Sequence, residues 1–414
     1  MYFSPVEDAR GYKLGGLHPV HLGDTFSNGR YTVVHKLGYG ATSTIWLVSD
    51  AQTSSLASLK IVSADRAHTE LPVLLHLNAT HDPAEEGSQY IAYMLDHFVH
   101  EGPNGLHQCF VQQVLGPSFC GSNMESLYEF WRYGRLPPEI AHRLCGQLAL
   151  AVAYLHKRGV AHGDLHPGNV LLCLPSTWTS IEDVDREFGD PEYYETRVPP
   201  SPHCPEYLVG SLTSDRIDLL RTCLQEPNIK LCDFGEAYIA ALPSPPRLAT
   251  PHVFRPPEAL PILAIAPHAT PELDIWALGN LFCFLLCSIA PFDYGKCDDD
   301  HLSMMVMKLG PFPEPLWSKW EKRPEIFDPT GKAFDASLYG PRPLLLRALV
   351  YALPPGSKRR ESFELLLRSI LCYEAPKRIK AAEVLESAWF KEHCTLFMSP
   401  GDTYTVEHWN PPSH

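Results

Sequence analysis

The sequence predicts an α+β fold in two parts, a smaller β-rich segment followed by a larger, mainly helical one. Three observations lead there. Strand-like runs rich in β-branched and aromatic residues fill the stretch from Tyr31 to Val62. An amphipathic helix follows over Pro138 to Lys157, where Ile140, Leu144, Leu148, Val152 and Leu155 recur at three- and four-residue steps. Directly after it comes AHGDLHPGNVLL, residues 161–172, with His162, Asp164, His166 and Asn169 confined between two apolar stretches. A loop held between buried strands would present such polar groups at one fixed place.

The 414 residues suffice for one large domain or two to three ordinary ones, and 45% hydrophobic content supports a sizeable core. A net charge of −14 argues against non-specific nucleic-acid binding and suits a basic protein partner, although solubility explains it equally well. The 12 cysteines show no CxxC pair, and Cys283, Cys287 and Cys372 lie in apolar runs where a reduced thiol is expected. The first residues, MYFSPVEDAR, lack the apolar core of a secretory signal. The most apolar helix candidate, Ile275 to Ala290, is shorter than the ~20 residues of a membrane span. A soluble protein of a reducing compartment is therefore expected.

Taken in order, residues 1–30 read as a leader ordered through contact, with little periodicity. Residues 31–114 form the β-rich part, beginning with a strand, the turn Gly38-Tyr39-Gly40-Ala41-Thr42-Ser43 and a second strand. Gly38 and Gly40 lack a Cβ, so backbone amides there can approach phosphate oxygens. A third strand, Ser55 to Val62, carries Lys60 as its one charge. In HTELPVLLHL the nearby Pro72 makes the helix after Glu70 begin late. Two more strands are expected around Ile91–Leu95 and Cys109–Leu115, with a turn at Gly102-Pro103-Asn104-Gly105. Residues 115–395 form the helical part and 396–414 a tail. Within it, 173–228 is rich in Pro, Asp, Glu and Tyr and reads as an insertion of loops and short helices rather than a domain. Its Glu182, Asp183, Asp185 and Glu187 read as a solvated surface run. A strand at Ile229–Leu231 then leads into Asp233-Phe234-Gly235.

In this order the motifs resemble those of protein kinases. Asp164 and Asn169 have the spacing of the catalytic loop, H-x-D-x-x-x-x-N. Small-molecule phosphotransferases share a similar loop, but they lack the Pro256-Pro257-Glu258 segment and the Asp274-x-Trp276-x-x-Gly279 helix start found here. The run YTVVHKLGYGATSTIWLVSD, the preceding HPVHLGDTFSNGRY, DFGEA, FRPPE and the insertion resemble the serine/arginine-rich (SR) protein kinase family. The likeness covers roughly residues 15–395 and is strongest to divergent members from filamentous fungi.

The resemblance implies a two-lobe kinase fold, with a small β-rich N-lobe and a larger helical C-lobe interrupted between catalytic loop and DFG. ATP would lie between the lobes, bound by Leu37, Gly38, Gly40, Ile45, Lys60, Glu70, Gln113 and Leu115. Lys60, paired with Glu70, would address the phosphates, and the backbone of Gln113 and Leu115 the adenine edge, beside a polar gatekeeper, Gln112. Asn169 and Asp233 would hold Mg2+, and Asp164 would accept the hydrogen of a substrate hydroxyl. Glu258 would form a buried ion pair with Arg378, and Asp274 would brace the catalytic loop backbone. The activity implied is ATP-dependent phosphorylation of Ser/Thr in basic Arg/Ser-rich proteins, tied to mRNA splicing. The enzyme would be a monomer of the cytoplasm, the nucleus or both, with no direct contact to nucleic acid or membrane.

Two departures matter. Gly163 replaces the arginine that grips an activation-loop phosphate, so activity should not depend on that phosphorylation. His166 stands where kinases usually carry a lysine, and a neutral imidazole holds a γ-phosphate less firmly than an ammonium. The enzyme could be slow, or active mainly below pH ~6.5 where imidazole protonates. It could also be a pseudokinase scaffold that binds nucleotide and a partner. Retention of Lys60, Asp164, Asn169 and Asp233 favours catalysis, and a small-molecule phosphotransferase is the remaining alternative.

Overall fold

In the computed structural model the described residues are 4–66, 69–120, 136–175, 180–212, 217–240, 250–260, 263, 270–292, 297–345, 353–399, 401 and 404. They pack into two compact units that differ from the expected lobe boundaries. Described residues within Met1–His81, Ile91–Leu127 and Val170–Cys232 form the first, and those within Asp82–Tyr90, Tyr128–Asn169 and Asp233–His414 the second. The insertion 173–228, expected in the C-lobe, therefore belongs with the sheet. Elements below are numbered in chain order.

The first unit is built on a six-stranded antiparallel sheet. Its strands are β1 (Thr25–Phe26), β2 (Tyr31–Tyr39), β3 (Ser43–Asp50), β4 (Ser55–Val62), β5 (Met94–Gly102) and β6 (Gly105–Gln112), in the order β1-β2-β3-β4-β6-β5. Alternation sends Val33, Trp46, Val48, Leu59, Ile61 and Val111 into one core, while Leu37 and Leu47 point into a second apolar cluster on the other face. The hairpin β5–β6 corrects the expected strands at 91–95 and 109–115. β5 is an edge strand whose Leu95 and Val99 face solvent, so no continuous apolar run marks its length.

The helix α1 (Glu70–Ala79) starts at Glu70 itself, not beyond it. Pro72 falls in the first turn, where backbone N–H groups have no intrahelical partner and none is missed. β7 (Leu115–Ser118), β9 (Val170–Cys173) and β12 (Ile229–Leu231) form a smaller sheet. The insertion supplies α3 (Ile181–Phe188), an antiparallel pair β10 (Tyr193–Glu195) and β11 (Tyr207–Val209), and α4 (Ile217–Gln225). That strand pair was not expected, because the proline-rich run between its strands hides it. Ala9, Tyr12 and Leu17 of the leader pack with Leu208 of β11.

The second unit centres on two helices, α2 (Pro138–Lys157) and α5 (Pro271–Cys287). α2 has the predicted bounds, proline at its start and His156 and Lys157 in its last turn. Its predicted apolar stripe is fully buried. A short antiparallel pair, β8 (Val160–Ala161) with β13 (Tyr238–Ile239), follows. Among the described residues no helix is long and apolar enough to cross a membrane, and the cysteines are free thiols.

Candidate active site

In the first unit, β4 carries Lys60 opposite Ile45 of β3 and Phe110 of β6. Its ammonium reaches both carboxylate oxygens of Glu70 at 2.9 and 2.8 Å, and both side chains are buried. Sequence and structure agree on this pair. In the glycine turn, Gly40 N–H donates to the Ser43 carbonyl at 2.8 Å. A Cβ added at Gly38 or Gly40 would meet protein no closer than 3.7 Å, so the missing side chains leave room for a ligand. Leu37 is buried and Ile45 half-buried in one apolar cluster. The amide of Gln112 is tied to the Ala92 carbonyl at 3.2 Å. Gln113 lies between strands, and Leu115 opens β7 opposite Cys173.

In the second unit the loop 162–169 follows β8 and is fixed by Asp274 from the first turns of α5. The N–H groups of His162 and Gly163 donate to its two carboxylate oxygens at 2.7 and 2.9 Å. Asp274 is 2% exposed, and its pKa is lowered. Burial works against the charge, but the His156 hydrogen bond and charge, the charge of His162 and the Gly163 N–H outweigh it. His156 Nε2 lies 2.9 Å from Asp274. Sequence reading missed this histidine. Its place at the end of α2 looks like an ordinary basic residue at a helix C-terminus.

Gly163 is held from three sides. Its φ is +76°, and a Cβ there would lie 2.5 Å from the Glu236 carbonyl oxygen. Thr250 Oγ1 donates to its carbonyl at 2.7 Å. Thr250 was also missed, since a threonine before a proline carries no distinctive pattern.

Within the loop, Asn169 Nδ2 donates to the Asp164 carbonyl at 2.9 Å, so the atom it can offer a cation is Oδ1. His166 Nδ1 accepts from Gly168 N–H at 3.0 Å, and a neutral ring then carries its hydrogen on Nε2. Nε2 is 3.5 Å from Asp164 Oδ2. Asp164 Oδ1 is buried without a hydrogen-bond partner among the described residues, and the side chain as a whole keeps 15% of its surface exposed. Asp233 adopts φ +60° and is exposed, with Gly235 N–H donating to its Oδ1 at 3.3 Å.

Asp233 and Asn169 are hard oxygen donors. Among the described residues no group of three or more His, Cys, Asp or Glu could hold a metal by itself. A cation bound by one carboxylate and one amide draws its remaining ligands from phosphate and water, which is how Mg2+ is usually held. The residues fit that ion. Away from the loop, Arg378 pairs with Glu258 through two contacts, the longer 2.8 Å, as expected, and lies over the Trp276 ring.

The lysine–glutamate pair of the first unit and, in the second, the Asp–His–Asn loop braced by a buried aspartate are each features of a protein kinase domain. The family described as protein kinase domain matches residues 219–390, a span that includes Asp233, Glu258, Asp274 and Arg378. Within the protein kinases, the chain is similar to members of the SR protein kinase family. Protein kinase dsk1 of Schizosaccharomyces pombe is 38% identical over 173 residues, 41% of this chain and 31% of that protein. SRSF protein kinase 3 of Homo sapiens is 38% identical over 173 residues, 41% of this chain and 30% of that protein. The serine/threonine-protein kinase SRPK of Physarum polycephalum is 27% identical over 413 residues, 95% of this chain and 93% of that protein. The chain thus spans about a third of the first two relatives and nearly all of the third.

Proposed function

We propose that the chain is an ATP-dependent serine/threonine protein kinase acting on Ser/Thr in basic, Arg/Ser-rich proteins. The observation that carries this reading is the loop 162–169. Asp164 has one oxygen without a partner, Asn169 is locked onto its backbone, and Asp274 fixes the loop from behind. Asp164 accepts the hydrogen of the substrate hydroxyl as the oxygen attacks the γ-phosphorus of ATP, and the bond from that phosphorus to the bridging oxygen breaks so that ADP leaves. Lys60, held by Glu70, pairs with the phosphates, and the amides of the glycine turn approach them. Asn169 and Asp233 would hold Mg2+, which when bound neutralises charge building on the transferred group. Positioning and electrostatics supply most of the rate.

The substrate class is supported by the names of the relatives and by the net charge of −14, which attracts basic chains. The same reading has the enzyme work as a monomer in the cytoplasm, the nucleus or both, on protein rather than nucleic acid or membrane. His166 favours a second reading, a scaffold that binds nucleotide with little transfer. The test is transfer of labelled γ-phosphate from Mg-ATP to an Arg-Ser repeat peptide, beside Asp233→Ala. Transfer that disappears in the variant supports the kinase. Nucleotide binding without transfer to this peptide or a broad protein panel selects the scaffold, and transfer to sugars or choline alone would revive a small-molecule enzyme.

A further inference from the structure

The insertion and the leader take no part in the chemistry above, yet both close on β2 where it enters the glycine turn. Leu212 N–H donates to the Lys36 carbonyl at 2.9 Å, and Ser211 Oγ donates to the Leu37 carbonyl at 2.5 Å. Side chains follow the same seam. Val184 of α3 and Leu212, each 1% exposed, share an apolar cluster with Leu37 and Leu47, and Ile45 and Val114 pack against it. Leu37 and Ile45 flank the glycine turn, and Val114 lies between Gln113 and Leu115. Every residue assigned to the nucleotide's base therefore touches this cluster or adjoins a residue that does.

From the leader, the Ser4 carbonyl accepts from Tyr39 OH at 2.6 Å. Glu7 accepts from the fully buried Lys36 ammonium and from Tyr12. The edge of β2 over residues 36–39 is thus tied down by segments far away in sequence. A glycine turn hanging from an untied strand would have to be ordered by its ligand, and that entropy would be subtracted from affinity.

We propose that the insertion is a positioning element for the nucleotide, with Val184, Ser211 and Leu212 holding β2 so that the glycine turn is set before the triphosphate arrives. The inference rests on the ATP reading above. It makes the contacts of Val184, Ser211 and Leu212 with β2, rather than the glycine turn alone, the determinant of affinity for a nucleoside triphosphate.

The experiment uses the full chain with Ser211→Ala and Leu212→Ala, and Leu208→Ala as control. Leu208 is buried in the leader–insertion cluster but belongs to no contact with β2 described above. Nucleotide affinity, KM for ATP, kcat and hydrogen exchange of the amides of residues 36–42 without nucleotide are measured. The two seam variants are expected to weaken ATP binding and raise its KM roughly tenfold. Their kcat at saturating ATP should stay within about twofold, and exchange over 36–42 should accelerate. Leu208→Ala should lower thermal stability without moving KM for ATP, which separates positioning from general support. Unchanged exchange over 36–42 in both seam variants overturns the inference, whatever the nucleotide does, and so does an equal KM shift in Leu208→Ala. A wild-type chain that binds no ATP overturns the kinase reading, and this inference falls with it.

Discussion

Replacing Asp274 by asparagine removes one of three acceptor contacts and the charge that strengthens all of them. The carboxylate takes N–H groups from His162 at 2.7 Å and Gly163 at 2.9 Å and faces His156 Nε2 at 2.9 Å. An asparagine keeps one oxygen and turns an NH2 toward at least one of these donors. A hydrogen bond to a charged group contributes about 1.5–3 kcal/mol, and a buried N–H left unpaired costs a further ~1–3 kcal/mol. The expected loss is therefore about 3–5 kcal/mol, a large share of the ~5–15 kcal/mol that holds a domain together. Because the loop backbone shifts while Asp164 remains, kcat/KM should fall about 100-fold even where the variant is folded. Urea unfolding gives the first quantity and γ-phosphate transfer to the Arg-Ser peptide, at a temperature where the variant is folded, gives the second. A variant as stable as wild type and within about twofold of its kcat/KM would refute the claim that Asp274 sets the loop.

Three further outcomes follow from individual contacts. Gly163→Ala should cost about 1–2 kcal/mol for the left-handed backbone, with a collision against the Glu236 carbonyl added. A thermal melt equal to wild type would contradict the placement of that carbonyl. Glu7→Ala leaves the Lys36 ammonium buried without its carboxylate, and urea unfolding should show a loss of about 3–5 kcal/mol. Acidification should loosen the leader, because His18 packs against His100 and His107 and burial lowers the pKa of all three, that of His18 to about 3. A depressed pKa means that the unfolded chain binds the extra protons, so stability is full above the ordinary value of 6.5 and falls below it. At about pH 5, 1.5 units below that value, His18 alone accounts for roughly 2 kcal/mol. Limited proteolysis within residues 4–24 should therefore be faster at about pH 5 than at about pH 7, and equal rates would count against the cluster.

Much of this site was legible because kinase chemistry sits in short, ordered motifs. Lys60 was a lone charge in an apolar strand, and Asp164 and Asn169 were polar residues between apolar runs. Asp274 and Arg378 were charged residues in patterns that leave them no solvent. Each contradicts its local environment, and that contradiction can be seen in sequence. His156, Thr250, Ser211 and Leu212 contradict nothing locally. Their importance comes from partners 118, 87, 174 and, for Leu212, similarly many residues away. The extent of β5 was misread and the β10–β11 pair missed for a related reason. An edge strand with half its residues in solvent, and two three-residue strands flanking a proline-rich run, carry little periodicity for a window to find.

Gly163 is the point at which the catalytic loop is fixed without a phosphate. An arginine at this position would hold an activation segment only when that segment carries a phosphate, so its grip comes and goes with modification. Gly163 is instead held by side chains that are always present, with Asp274 on its N–H and Thr250 on its carbonyl. Thr250 precedes the Pro256-Pro257-Glu258 segment by six residues, and Arg255 Nε donates back to its carbonyl. The link between the catalytic loop and the start of that segment is therefore written into the chain. Phosphatase treatment should leave kcat/KM toward the Arg-Ser peptide unchanged within about twofold. Thr250→Val, which keeps the shape but removes the donor, should lower it about tenfold, the effect of one buried hydrogen bond of ~1.4 kcal/mol. Activity abolished by phosphatase, with Thr250→Val indistinguishable from wild type, would mean that a phosphate rather than the Thr250–Gly163 contact holds the segment in place.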